Sequence, residues 1–221
     1  MQASRRLFFL LLALFFSTAL VSNAQDNELI SISFADKDTK YSYEEEEDKL
    51  IINAEGQNSA SGLFVSNPAA CLENNQLSWS WRVDQIHDTA DITVEEKEDF
   101  AASLLIIFGK PGLLSKPKGL IYAFTSSELP KNAVVKSPKS PNGFRTIVLE
   151  NQESSLMEWF QYKRNILEDY ELAYGEMPKK KLFSIGVFTD NDQTGESVKA
   201  SYDLQSCHLT AQDFSETRYP D

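Results

Sequence analysis

Cysteine, histidine and methionine are scarce in this 221-residue chain, at two, two and three residues. With no CxxC pair, and only His87 and His208, zinc clusters and thiol redox centres built on paired Cys or His are excluded. Glycine-rich phosphate loops, the GxSxG elbow and HExxH are also absent, so no sequence motif assigns a catalytic residue. Basic residues are in the minority, 21 against 33 acids, for a formal net charge of −12. Such a surface repels phosphate backbones, and no basic patch offsets it. Nucleic acid is therefore not expected as a partner, and anionic lipid is disfavoured. Long apolar runs are lacking too, apart from one at the N-terminus.

That run fills residues 7–16, behind Arg5 and Arg6, and Ser22-Asn23-Ala24 follows it. A charged start, an apolar stretch shorter than a membrane span and a small-x-small site read as a signal peptide over residues 1–24, cleaved after Ala24. The expected location is periplasmic or secreted, with no integral membrane segment after processing. Roughly 200 residues remain, enough for one domain over 25–221 that buries about 70% of its unfolded surface. The tail, 211–221, has little apolar content and is expected to be loose. In an oxidising compartment Cys71 and Cys207 are expected to form a disulfide, the alternative being two buried or free thiols.

Short strand-like runs broken by turn clusters dominate the rest, a pattern of sandwiches rather than α/β units. The clearest covers 77–83, where period 2 puts Leu77, Trp79, Trp81 and Val83 on one side and Ser78, Ser80 and Arg82 on the other. Tryptophans in such company are read as core, although two rings on one face could also stack on sugars. Residues 104–108 are apolar on both faces and read as a central strand. The acid run 44–48 is read as a solvated hairpin tip. Residues 182–189 and 198–204 read as a last pair joined by a tight acidic loop. One helix is expected after Asn165, with Glu168 completing a capping box and Gly175 ending it before Pro178.

Two constellations carry candidate chemistry. Asp190-Asn191-Asp192-Gln193-Thr194-Gly195 places side-chain oxygens at alternate positions before a glycine, like the first half of a calcium loop. The twelfth position is Ser201 rather than a bidentate Glu, so a plain turn in which Asp and Asn bond their own backbone is the competing reading. Asp190, Asp192 and Thr194 are the metal candidates. Glu98 and Asp99 are adjacent carboxylates, and side chains at i and i+1 diverge, so they cannot flank one glycosidic bond. Trp159 is not assigned a role.

Ser59-Ala60-Ser61-Gly62-Leu63, the segment 77–83, Glu98-Asp99-Phe100-Ala101-Ala102, residues 121–125, Asp169-Tyr170 with Tyr174-Gly175, and 189–195 occur in an order that resembles the exported bacterial "domain of unknown function 3047" family. The family tends to have Arg where Ser103 stands and Trp where Phe124 stands. The resemblance implies a jelly-roll-like, antiparallel β-sandwich akin to carbohydrate-binding modules, here with one short α-helix, and an envelope location. The expectation for function is a non-catalytic binding or envelope-accessory protein for a glycan or envelope protein. It would use the sheet face opposite the tryptophans, with Arg82 and Asp99 as contacts and calcium as an optional ligand. The alternative is a polysaccharide or cell-wall hydrolase using dispersed carboxylates.

Overall fold

In the computed structural model, residues 27–47, 49–112 and 115–219 are described; the expected signal peptide lies outside them. Twelve strands are present among these residues: β1 (Leu29–Ser33), β2 (Lys40–Glu46), β3 (Lys49–Gly56), β4 (Ala60–Val65), β5 (Gln76–Gln85), β6 (Ala102–Phe108), β7 (Lys118–Phe124), β8 (Val134–Lys136), β9 (Phe144–Glu150), β10 (Phe160–Asn165), β11 (Leu182–Asp190) and β12 (Val198–Asp203). Helix α1 (Ile166–Tyr174) follows β10, and α2 (Ala211–Ser215) closes the chain. A seven-stranded sheet runs β1-β4-β11-β6-β7-β9-β8 and a five-stranded sheet β10-β5-β12-β3-β2. The protein is the expected jelly-roll-like sandwich.

Alternation on β5 decides how the sheets face each other. Leu77, Trp79, Trp81 and Val83 are all 0% exposed, in one core with Leu104, Ile106 and Tyr122 of the other sheet. Trp79 stacks on Tyr122 across the sheets with ring centroids 5.0 Å apart, and meets Trp81 edge-on at 5.7 Å. Neither indole N–H has a hydrogen-bond partner among the described residues. Ring packing therefore holds the pair, and truncating either to Ala would cost about 3–5 kcal/mol. Tyr122 also donates to Asp169 on α1 at 2.6 Å, and Arg164 on β10 clasps the same carboxylate, so helix and both sheets share one joint.

A second apolar cluster covers the far face of the seven-stranded sheet. Ile30, Ile32, Phe64, Leu105, Ile121 and Phe188 point outward there and are roofed by Ile92, Phe100 and loop side chains such as Leu129 and Ala133. This sheet is thus buried on both faces, whereas the outer face of the five-stranded sheet carries no second apolar cluster among the described residues, although Ile51, Ser80, Ser201 and Asp203 are buried there.

Several expectations are corrected. The sheets are not wholly antiparallel, because the long connection after β7 passes β8 and returns β9 parallel to β7. Strands β11 and β12 are not a hairpin: β11 lies between β4 and β6, β12 between β3 and β5, and the acidic loop crosses from sheet to sheet. The tail, described to Tyr219, is not loose. Thr210 and Asp213 form a reciprocal capping box that starts α2, a second helix. Phe214 packs on Tyr43 at 4.9 Å, and the Arg218 backbone exchanges hydrogen bonds with Leu29 and Ser31. Cys71 and Cys207 are bonded, as expected, across 136 residues, which in the chain-entropy account is worth on the order of 5 kcal/mol. No helix among the described residues is long and apolar enough to cross a membrane.

Of the three tryptophans, only Trp159 is open, at 40% exposure. Acrylamide quenching of native protein is expected to reach one fluorophore in three. Trp159→Phe should remove nearly all of the quenchable emission. Substantial quenching left in that variant would mean that the β5 indoles face solvent.

Candidate functional site

Two places gather polar side chains that the packing does not require. The first is where β11 ends and β6 begins. Asp190 closes β11, and its backbone pairs with Phe100 just before β6; its Oδ1 accepts from the Phe100 N–H at 2.6 Å. Asn191 is turned inward, accepting from the Ser59 N–H at 2.9 Å. Gly195, at φ 71°, takes the left-handed conformation that closes the turn, and its N–H donates to the Asn191 carbonyl at 2.8 Å. Asp99 is fully buried, and its two oxygens accept from the N–H groups of Gln193 and Thr194 at 3.2 and 2.7 Å. A carboxylate reaching from one segment thus staples the loop of another.

As a result the carboxylates of Asp99, Asp190 and Asp192 converge, with oxygens within 4.8 Å of one another. Burial pushes the Asp190 carboxyl well above the usual range. The Lys139 ammonium opposes that, and the charges of Asp99 and Asp192 add to it. Asp192 is raised for the same reasons, burial first. Lys139 donates to the Gln193 side chain and to the Glu98 carbonyl, which places it as the local countercharge. His87 is buried beneath, its Nε2 2.9 Å from the Asp190 carbonyl oxygen, and burial holds its pKa low. The adjoining cavity, lined by Glu98, Lys139, Asp190 and several aromatic rings, measures about 50 Å³, room for one or two waters.

Of the metal candidates, Asp190 and Asp192 come together, and Thr194 follows in the same loop. The Thr194 hydroxyl accepts from the Glu196 N–H at 3.4 Å, and the third carboxylate of the group is Asp99. Asp99 in turn is not a surface contact beside Arg82, being buried with both oxygens engaged. Three carboxylates are the donor type that a hard divalent cation takes, and calcium needs six to eight oxygens.

The second place is the outer face of the five-stranded sheet. Arg82 lies there, forked onto Asp84 with contacts of 2.8 and 3.0 Å. Pairing of Phe160 with Trp81 sends Trp159 to the same side, and the Arg82 guanidinium sits 5.4 Å from the centre of its indole. Beside them runs a polar rank. Gln161 donates to Gln205 at 3.0 Å, and the Ser201 hydroxyl donates to Asn53 at 2.7 Å. Asp203 lies near Lys49, at 3.8 Å, and burial raises its pKa. Trp159 was not assignable from the sequence, because only the β10–β5 register places it next to Arg82.

A sequence profile described as "Protein of unknown function (DUF3047)" matches residues 28–204. No curated protein matches the chain. Solved structures with a similar outline include the xyloglucanase domain of NopAA, a type three effector from Sinorhizobium fredii, in complex with cellobiose (8% identity, 83% of this chain and 97% of that one, TM-score 0.45). Another is Trichoderma harzianum Endoglucanase 3 from family GH12 (7% identity, 83% and 96%, TM-score 0.37). At these scores the likeness bears on no residue of either site.

The raised carboxyls have a measurable consequence. A carboxyl with a folded pKa above its unfolded value binds its proton more tightly in the fold, so stability falls as pH rises from about 4 through the folded pKa. Buried neutral His87 has the opposite sign, losing stability as pH falls below about 6.5, so the variant comparison isolates the acids. Asp192→Asn is expected to raise the melting temperature at pH 8 in chelator by a few degrees, and to do less at pH 5. Repeating the melts with millimolar calcium tests the loop as a cation site. A calcium-dependent rise in wild type that Asp192→Asn abolishes is expected if calcium binds, and unchanged melts remove calcium from the account.

Proposed function

Starting from the fact that this chain belongs to the DUF3047 family, matched over residues 28–204, we propose that it is an exported, non-catalytic binding protein of the cell envelope whose ligand is a glycan. One observation carries this reading: among the described residues the outer face of the five-stranded sheet has no apolar roof like that of the other sheet, and it joins a half-exposed indole to hydrogen-bonding side chains that are exposed at Gln161 and half-buried at Gln205 and Asn53. Sugars present apolar C–H faces and a rim of hydroxyls. An indole takes the first, and side-chain amides take the second. Arg82, held by Asp84, fixes the indole from one side and leaves guanidinium N–H groups directed at the same surface. The disulfide fits an oxidising compartment. Calcium is an optional staple of the acidic loop, held by Asp190 and Asp192 together with Asp99.

A hydrolase built on the same chain would use Asp190 and Asp192, whose raised pKa values suit a proton donor. The cavity that Asp190 lines, about 50 Å³, does not include Asp192 and is too small for a sugar ring, so binding on the outer sheet face is the stronger reading.

Affinity electrophoresis in gels containing neutral soluble polysaccharides, alongside sedimentation with insoluble cell-wall material, tests it. Retardation by at least one polymer is expected. Trp159→Ala should weaken it about tenfold and Arg82→Ala severalfold, with melting temperatures little changed. Absence of retardation in every gel, or retardation indifferent to both substitutions, would overturn the proposal. Release of reducing ends that stops on Asp190→Asn would establish the hydrolase instead.

A further inference from the structure

At the far end of β6 and β11 from the acidic loop, the chain gathers cations that the sequence had scattered. The absence of a basic patch, expected from net charge, is thereby corrected. Lys110 and Lys116 lie between β6 and β7, Lys118 opens β7, and Lys179, Lys180 and Lys181 lie just before β11. These segments are more than sixty residues apart and are stitched to each other. The Gly109 N–H donates to the Lys181 carbonyl at 2.9 Å, and the Lys180 ammonium donates to the Ser115 hydroxyl at 2.8 Å and the Lys116 carbonyl at 3.1 Å. Gly109, at φ 86°, leaves room for the Lys180 stem, since a Cβ there would stand 2.2 Å from it. From a third element, Arg145 at the start of β9 packs over the Tyr174 ring at 4.8 Å, as Lys118 does at the same distance. One acid stands among them, Glu176, bonded to Lys118 and Lys179.

The cations surround two hollows that share Lys180. One, of about 220 Å³, is lined by Lys116, Lys118, Lys179 and Lys180 together with Glu176, Phe108 and Tyr170, so four cations outnumber its one acid. The other is shallower, about 590 Å³, with Lys110, Lys180 and Lys181 around Ser115. Six of the seven cations are lysines. Their point-charge ammonium groups suit a compact, multiply charged anion, whereas the planar carboxylate is matched by the arginine fork. Two adjoining hollows suit successive anions along one chain more than a flat charged sheet.

We propose that this end of the sandwich is a binding site for a phosphate-bearing linear polyanion, with phosphate groups seated in the two hollows on either side of Lys180. The rest of the surface is strongly acidic, so attraction is confined to this end and presents it to the polymer first. The site is independent of the glycan face and stands or falls separately.

Titration of the full-length mature protein with inorganic polyphosphate, followed by calorimetry, is the test. Saturable binding is expected, weakening at least tenfold between about 50 and 300 mM salt. The triple variant Lys116→Gln/Lys179→Gln/Lys181→Gln should bind at least about tenfold more weakly. It spares Lys180 and its two hydrogen bonds, so its circular dichroism and melting temperature should match wild type. A second arm uses vesicles of neutral lipid with and without a quarter of phosphatidylglycerol. Failure to bind polyphosphate, or binding that the triple variant leaves intact, overturns the proposal. Lysine-dependent binding to anionic vesicles without polyphosphate binding also overturns it, in favour of a membrane surface.

Discussion

Two indoles on one side of β5 commit the architecture. With Trp79 and Trp81 filling the space between the sheets, the period of the strand obliges Ser78, Ser80, Arg82 and Asp84 to face away. A slip of one residue in register would send two large rings to solvent and bury an arginine, at a cost no neighbouring contact could offset. The register of β10 against β5 is fixed by the same packing, since Tyr162 meets both indoles. Trp159 therefore stands beside Arg82 as a consequence of core packing. The open face inherits its layout from the buried one.

The other sheet shows the converse. Strand β6 is buried along its whole length, and the outward side chains of β4, β6, β7 and β11 are roofed by loops. Those loops must end somewhere that satisfies their backbone. The segment carrying Asp99 does so by turning its carboxylate onto two N–H groups of the 191–195 loop. The like-charge crowding of Asp99, Asp190 and Asp192 is thus the electrostatic cost of a backbone solution. Lys139 relieves it in part, and protonation or a cation would relieve the remainder.

Local patterns were legible in the sequence wherever one element contained the whole signal. The alternation of 77–83, the double-sided burial of 104–108 and the Asn165 cap were of that kind. The capping box of α2 was equally local, Thr210 with Asp213. It was passed over because the tail has little apolar content, and what anchors it, Phe214 on Tyr43, is a long-range contact. Asp190 and Asp192 were visible as an oxygen-rich turn. Their third member, some ninety residues earlier, was not, because only the Phe100–Asp190 pairing brings Asp99 to them. The path of that loop was misread for a related reason. Period 2 identifies two strands but does not say whether the turn between them stays in one sheet. Net charge misled about the lysines because it averages over the surface, while two crossings of the seven-stranded sheet deliver both lysine segments to one end.

The acidic loop and the lysine end are joined by the same strand and still act separately. Nine residues of β11 at about 3.3 Å each set them roughly 30 Å apart, several times the screening length of about 8 Å at physiological salt. Their interaction through solvent is therefore negligible, and the strand between them is packed on both faces, with little freedom to transmit a shift. Substitutions at the two ends should add in their effects on stability, within a few tenths of a kcal/mol. Arg82 and Trp159 belong to the other sheet, behind a layer of indole and phenol rings. The fold keeps an anionic loop, a cationic hollow and a neutral polar face on one sandwich by placing each where a different pair of strands ends or opens. It needs no charge on any one of them to balance another.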